Sequence, residues 1–247
     1  MKYFMIVMVF SSLSLAQYNL NVNAAFRTDP RAKNLTATLA YDYLLRGEAS
    51  KQTPFYSYAR AGVVAGGSPS FGAFIQVAPI APLIFEVQKS RTVRIDSSDH
   101  FDCQKFECQG VIDRTEYSVR AVAAYGHFFI TPKFLWREVQ SDSNFRPIYF
   151  EQEVATASPG FHRFQQASVI LGYAISDAWQ SGVIYSASEF SENRVVSHTA
   201  SVFYRQKIGA YAATFGLSHY KYEQFDIQGP AGFLSLDYDL GDKLSLF

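Results

Sequence analysis

What this sequence of 247 residues lacks narrows it quickly. It has no surplus of either charge, since 22 lysines and arginines balance 22 aspartates and glutamates, and it carries no basic stripe. Nucleic acid is therefore not an expected partner, because binding along a phosphate backbone needs such a stripe. Low-complexity tracts and domain linkers are missing too, which points to one domain. Cysteine is confined to Cys103 and Cys108. Past residue 16 no apolar run is long enough for a membrane helix. The most apolar stretch, 71–87, is interrupted by Gln76, Pro79 and Pro82, whereas a spanning helix takes about 20 predominantly apolar residues. If the chain enters a membrane, it must do so as strands.

What is present is aromatic residues, 16% of the chain, and alternation. From Arg163 to Ser188 the odd positions read Ala167, Val169, Leu171, Tyr173, then Trp179, Val183, Tyr185, Ala187, while Gln166, Ser168, Gly172, Gln180, Gly182 and Ser186 occupy even ones. That is period two, a strand with one apolar face, and Ser176-Asp177-Ala178 reads as the tight turn of a hairpin. The same unit recurs along the chain. Tyr18 to Phe26, Leu35 to Tyr43, Phe55 to Ala65, Phe71 to Val77 and Leu83 to Val87 alternate, with Pro79 to Pro82 read as a turn. After a polar segment at 95–113 the pattern returns over Tyr117–Tyr125 and Phe128–Trp136, and after a second irregular segment at 141–162 it runs to Leu240. The expected fold is all-β: a transmembrane, antiparallel, up-and-down β-barrel of about twelve strands, with ten or fourteen also open.

Loop lengths orient it. With strand one running outward from the periplasm, the long segments 95–113 and 141–162 fall outside, and the turns at Gly126, Asp177 and Lys207 fall inside and are short. The connection at 46–54 is long for a periplasmic turn. On this topology Tyr41, Tyr43, Tyr125, Tyr173, Trp179, Tyr204, Tyr211 and Tyr238 gather near one rim, and Phe26, Phe71, Phe85, Tyr117, Trp136 and Tyr185 near the other. Two aromatic girdles are what a membrane barrel shows and a soluble sandwich does not. Residues 1–16 read as a secretory signal peptide: Lys2, an apolar run to Phe10, then Ser14 and Ala16 in a small-x-small pattern. The barrel domain is then 17–247.

Signal peptide, alternating strands, short turns against long loops and the terminal Phe247 together resemble bacterial outer-membrane β-barrel proteins, small and porin-like, without pointing to one family. The resemblance implies an outer-membrane location, contact with outer-membrane lipid and passage through the barrel assembly machinery, which reads a terminal aromatic. Ser245 and Lys243 occupy the alternate positions before Phe247, and Leu240, Leu244 and Leu246 lie on the other parity.

The chemistry expected of such a chain is not catalytic, and no cofactor or metal is called for. Outer-membrane lipid hydrolases of this architecture pair a His with a Ser two residues on along one strand face. His198 is followed by Thr199 and Ala200, and His219 is preceded by Ser218 on the opposite face. His127 falls in a turn, and His100 and His162 in loops, so no histidine has a partner at catalytic spacing. Cys103 and Cys108, in a long external loop of an exported protein, are expected to form a disulfide.

The inward parity is the most informative set. It collects Arg60, Glu86, Glu116, Arg120, Lys133, Arg137, Arg205 and Asp237, with Asn21, Asn23, Arg27, Asp42, Gln76 and Asp239. Each Arg or Lys would cost about 2–4 kcal/mol at the midplane on the lipid face, so they belong inside. Charges of both signs can line a wet channel for ions or small polar solutes. They can equally neutralise one another in a filled, non-conducting barrel that acts through its external loops. Eight strands make a filled barrel and 16 to 18 an open one, so about twelve leaves both readings standing.

Overall fold

The alternation becomes a closed sheet in the computed structural model, which describes residues 16–28, 31–46, 56–66, 70–94, 110–142, 148–150, 155–157, 161–190, 195–222 and 227–240. In chain order the strands are β1 (Ala16–Thr28), β2 (Arg31–Arg46), β3 (Ser57–Gly66), β4 (Ser70–Ile80), β5 (Leu83–Arg94), β6 (Gly110–Ala121), β7 (Ala123–Tyr125) and β8 (Phe128–Ser141). Then follow β9 (Ile148–Phe150), β10 (Ala155–Ala157), β11 (Phe161–Ser176), β12 (Trp179–Phe190), β13 (Val195–Ile208), β14 (Tyr211–Tyr222) and β15 (Ile227–Leu240). β9 and β10 pair only with each other, inside the connection from β8 to β11. β7 is a short continuation of β6 past Val122, whose amide leaves the ladder and donates to the Pro82 carbonyl at 2.8 Å. The other twelve strands each pair antiparallel with their chain neighbours, and β15 returns to β1 with Leu20 opposite Leu240. The sheet is thus a closed up-and-down barrel of twelve long strands, the number the alternation predicts.

Register fixes its width. Gln17 leads strand by strand through Asp42, Arg60, Gln76, Glu86 and Ser118 around to Ile227, and the β15–β1 register would set Ile227 against position 33. A stagger of about 16 residues over twelve strands corresponds to a tilt of about 45° and a backbone radius of about 12 Å. That is wide enough for a lumen wherever the inward side chains are small.

The outer surface is what water would not tolerate. Val63, Phe71, Ile75, Phe85, Leu171, Val202, Phe215, Leu217 and Leu236 all stand exposed on the outward parity. An apolar belt around a closed barrel is the form in which strands cross hydrocarbon, because closure leaves no backbone donor or acceptor unpaired. At the inner rim aromatic rings meet across neighbouring strands: Tyr18 with Tyr41 at 4.8 Å, Trp179 with Tyr204 at 5.2 Å and Tyr211 with Tyr238 at 4.9 Å between centroids. Tyr117, Trp136 and Tyr185 are exposed at the other rim. Above it, outward charge returns in the ion pairs Arg91–Asp113 (2.7 Å) and Arg163–Glu138 (3.9 Å). From Phe128 to Trp136 on β8 is about 27 Å of strand, or roughly 20 Å of height at that tilt, close to the apolar band of a membrane barrel. The chain has the form of a membrane-spanning β-barrel.

The periplasmic turns are short and tied to the next strand. Gly126 and Gly209 both have φ of 59°, a left-handed conformation that a side chain would strain. The Ala174 amide donates to the His127 carbonyl (2.7 Å), that of Lys207 to Ala178 (2.7 Å) and that of Asp239 to Ala210 (2.8 Å). Several boundaries differ from the alternation. Pro79 belongs to the end of β4, not to the turn; it sits where the β4–β5 register shifts, between Val77 and Ile80, so its missing N–H breaks no regular ladder. Strand also claims 110–113 from the first polar segment, and the second contains the β9–β10 hairpin. Residues 1–15, with most of the expected signal peptide, lie outside the described residues, as do most of 46–54, Phe247, and Cys103 and Cys108 with their expected disulfide.

Candidate functional site: the inner wall of the barrel

Around β2 to β8 the inner wall is charged. The Arg60 guanidinium grips the Asp42 carboxylate from the next strand with two bonds, Nε to Oδ1 at 2.5 Å and Nη2 to Oδ2 at 2.6 Å. Beside them Gln76 donates to the Tyr58 hydroxyl at 2.8 Å. Tyr58 and Tyr56 pack with Ala78, Ala81, Ile84 and Leu44 into an apolar cluster at the periplasmic end of this wall. Farther along, Arg137 donates to Glu116 at 3.0 Å and lies over the Phe164 ring, 5.3 Å from its centroid.

Between these two pairs stands a group without close partners. Arg120 and Lys133 face each other in register across β6 and β8, and Glu86 is one strand away, on β5. Lys133 feels Glu86, Arg120, Glu116 and Arg137 through space. Among the described residues, however, Glu86, Arg120 and Lys133 make neither a side-chain hydrogen bond nor a close ion pair. Their charges remain available to whatever fills the lumen.

The remaining wall, β11 to β15 and β1, is polar but mostly uncharged. Ser188 and Ser197 hydroxyls meet at 2.6 Å, and Ser201 and Ser218 at 2.8 Å. Asn21 donates to Asp239 at 2.6 Å, and Asn23 to Asp237 at 2.7 Å and to the Ser235 hydroxyl at 2.8 Å. Arg205 sits here, between Gln180 and Thr214 in register. The structure therefore divides the expected lumen residues. Arg60, Glu86, Glu116, Arg120, Lys133 and Arg137 share one wall, and Arg205 and Asp237 belong to the other.

Sequence reasoning did not find the inward phenylalanines. Phe129 lies over Gly172 of the neighbouring strand, so close that a Cβ there would be 2.1 Å from the ring. Phe203 covers Gly182 in the same way, Phe233 covers Gly216, and Phe74 covers Gly62, with clearances of 2.5 to 2.8 Å. The signal was the run of inward glycines; each permits an aromatic ring of the adjacent strand to come close to bare backbone. Two further side chains depart from expectation. His162 lies within β11 opposite Val139, and is 3% exposed, where a loop was expected. Asn19, next to the Asp42 strand, is 3% exposed and its side-chain nitrogen has no hydrogen-bond partner. On the outer face Tyr185 and His198 share a hydrogen bond of 2.9 Å.

No protein-family model matches the sequence, and no curated protein matches it. Solved structures similar to the chain include the β domain of the Bordetella autotransporter BrkA (TM-score 0.47, 8% identity, covering 91% of this chain and 98% of that one). An outer membrane channel of Pseudomonas putida F1 has a TM-score of 0.47 at 8% identity, covering 91% of this chain and 95% of that one. Outer-membrane-expressed OmpT of Vibrio cholerae has a TM-score of 0.46 at 9% identity, covering 92% and 98%. The membrane assignment stands on the closed sheet, the exposed apolar belt and the two aromatic rims.

Proposed function

We propose that the barrel is a porin-like channel for ions or small polar solutes. The observation that carries this reading is the group Glu86, Arg120 and Lys133, without close partners among the described residues, facing a lumen whose far wall is polar and mostly uncharged. Ionised groups are rarely left without partners in a dry interior, since each would lose its hydration for no return. Water along this wall supplies the missing partner, and a wetted barrel about 12 Å in backbone radius has room for a solute path beside it. In this reading the chain is not an enzyme and takes no cofactor. Its partners are outer-membrane lipid, the assembly machinery during biogenesis, and a small polar solute.

A second reading is favoured by one observation. Tyr56 and Tyr58, 3% and 0% exposed, fill part of the inner end of the lumen. If they close it, the barrel is a non-conducting structural or surface-interaction protein acting through its external loops. Planar-bilayer recording of the refolded protein decides between the two. Discrete conductance steps are expected; a correctly folded barrel that gives none overturns the channel reading in favour of the structural one.

A further inference from the structure

We infer that the outer face of β13 to β15 carries a site for one phosphate-bearing lipid. An acyl chain occupies an apolar hollow there, and the headgroup meets His198, His219 and Lys221. The inference concerns the surface turned to the membrane and stands whether or not the barrel conducts.

The hollow has a volume of about 530 Å³, and its lining includes Val202 and Tyr204 of β13, Phe215 and Leu217 of β14, and Leu234 of β15. These residues are on the outward parity, and Val202, Phe215, Leu217 and Leu234 are exposed. Among the described residues the lining takes none of the inward polar groups of the same strands, such as Ser201, Thr214 and Ser218, so the hollow opens toward hydrocarbon. Gly232 makes room for it. This outward position of β15, opposite Leu217, puts no side chain on the belt.

Above the hollow the same strands turn basic. His219 is the next outward position after Leu217, and Lys221 the one after that, about 7 and 14 Å farther along β14. Lys221 is opposite His198 on β13 and Gln228 on β15, while His219 has only Ala200 and Pro230 beside it in register. From Tyr211 at the inner rim to Lys221 is about 34 Å of strand, or roughly 24 Å of height at the barrel's tilt, which is the outer border of the apolar band. His219 and Lys221 are exposed, and neither has a hydrogen bond or an ion pair among the described residues. The Nδ1 of His198 and the Tyr185 hydroxyl share a hydrogen bond of 2.9 Å, which leaves Nε2 for another partner. Among the described residues, β13, β14 and β15 place no acid on the outward parity. Elsewhere on the collar Arg91 is paired with Asp113, and Arg163 with Glu138.

The two parts fit one molecule. At the border of the apolar band a cation meets the phosphates of lipid headgroups, and the hollow beneath takes hydrocarbon. A free phosphate ion satisfies only the upper part, and an uncharged chain only the lower. A second copy of the barrel fits worse, because an isologous contact sets the basic patch against itself.

The test uses the full barrel refolded in detergent, with dimyristoyl phosphatidic acid as probe. Native mass spectrometry should show one probe molecule retained per barrel. Dimyristoyl phosphatidylcholine has the same chains but a capped phosphate, and should be retained at least tenfold more weakly. Inorganic phosphate should not displace the probe. The double variant His219→Gln, Lys221→Gln, its folding checked by heat-modifiable migration, should weaken retention at least tenfold. If it does not fold, Lys221→Gln alone carries the same expectation. Leu217→Trp fills the hollow, leaves the cations in place and should also weaken retention; if it does not fold, Val202→Phe replaces it. Lys89→Gln removes an outward cation on β5 and should change nothing. Equal retention of the two lipids, displacement by inorganic phosphate, unchanged retention in the glutamine or the hollow-filling variant, or an equal loss from Lys89→Gln overturns the site. A dimer of the refolded barrel that the glutamine variant abolishes also overturns it, by making this face a contact between copies.

Discussion

Arg60 and Asp42 meet side-on across β2 and β3 in a two-point ion pair, and the Asp42 side chain has no exposure at all while that of Arg60 has 11%. A pair this enclosed is maintained by mutual neutralisation, and removing one member strands the other charge. Asp42→Ala should therefore cost the barrel about 3–5 kcal/mol. The double variant Asp42→Asn, Arg60→Gln should cost much less. Urea unfolding of the detergent-refolded protein, followed by heat-modifiable migration, checks both; equal losses in the two variants would show that the pair is dispensable.

Gly172 is expected to resist a side chain because of one neighbouring ring, since the atoms nearest an added Cβ all belong to Phe129. A Cβ there would fall 2.1 Å from the Phe129 ring, against 2.6 Å for Gly62 and Phe74. Gly172→Val should destabilise by about 1–3 kcal/mol through overpacking. Adding Phe129→Leu should recover part of that, because the contact is between these two positions. The same unfolding assay gives the coupling; strictly additive effects would mean the ring moves aside freely.

Strand existence and facing were legible in the residues because a period of two admits only two answers, and the apolar parity chooses between them. Val169, Leu171 and Tyr173 announce a lipid face without any knowledge of neighbours. Which charges pair is a different kind of fact. Asp42 meets Arg60, and Glu116 meets Arg137, through the offset of one strand against the next, and that offset is set by turns and bulges such as the one between Leu44 and Arg46. The glycine–phenylalanine contacts were hidden for the same reason: Gly172 and Phe129 are far apart in sequence and adjacent only once β8 and β11 are in register. His162 was misplaced because β11 continues outward past the end of its clear alternation.

On the outer collar, above the membrane belt, Arg91 donates to Asp113 at 2.7 and 2.8 Å. The Arg91 hydrogen bond holds the Asp113 carboxyl below its ordinary 3.8. A depressed carboxylate pKa stabilises the folded form at pH values above the unfolded value, and the contribution fades as pH falls through the folded one. Both groups are substantially exposed, so the effect on global stability is small and salt-sensitive. The better measurement is direct: carboxyl-carbon NMR titration of Asp113 in micelles should show a midpoint below 3.8 that moves up in Arg91→Gln. An unmoved midpoint would mean that the pair does not persist in solution.

Cys103 and Cys108 are expected to be joined and accessible from outside, since the β5–β6 connection that holds them opens on the long-loop side and the compartment is oxidising. Maleimide labelling of intact cells should fail before reduction and succeed after it. Labelling of both thiols without reductant would rule out the bridge.

Charge at Arg120 should set which ions the channel prefers. Arg120 and Lys133 face each other across β6 and β8, with Glu86 on the neighbouring β5 opposite Ser118 and no close ion pair to any of the three among the described residues. The local balance is cationic, and unpaired cations in a confined aqueous path raise the local concentration of anions. The Arg137–Glu116 pair, bonded at 3.0 Å, is already neutral and should matter less. Arg120→Glu reverses the balance beside Lys133, so the reversal potential in a KCl gradient should shift toward cation selectivity, and the shift should shrink as salt rises and screening sets in. Arg91→Glu, on the outer collar, adds the same negative charge outside the lumen and should leave the reversal potential nearly where it was. A wild-type channel that prefers cations, or equal shifts from Arg120→Glu and Arg91→Glu, would show that the conducting path does not run past Arg120.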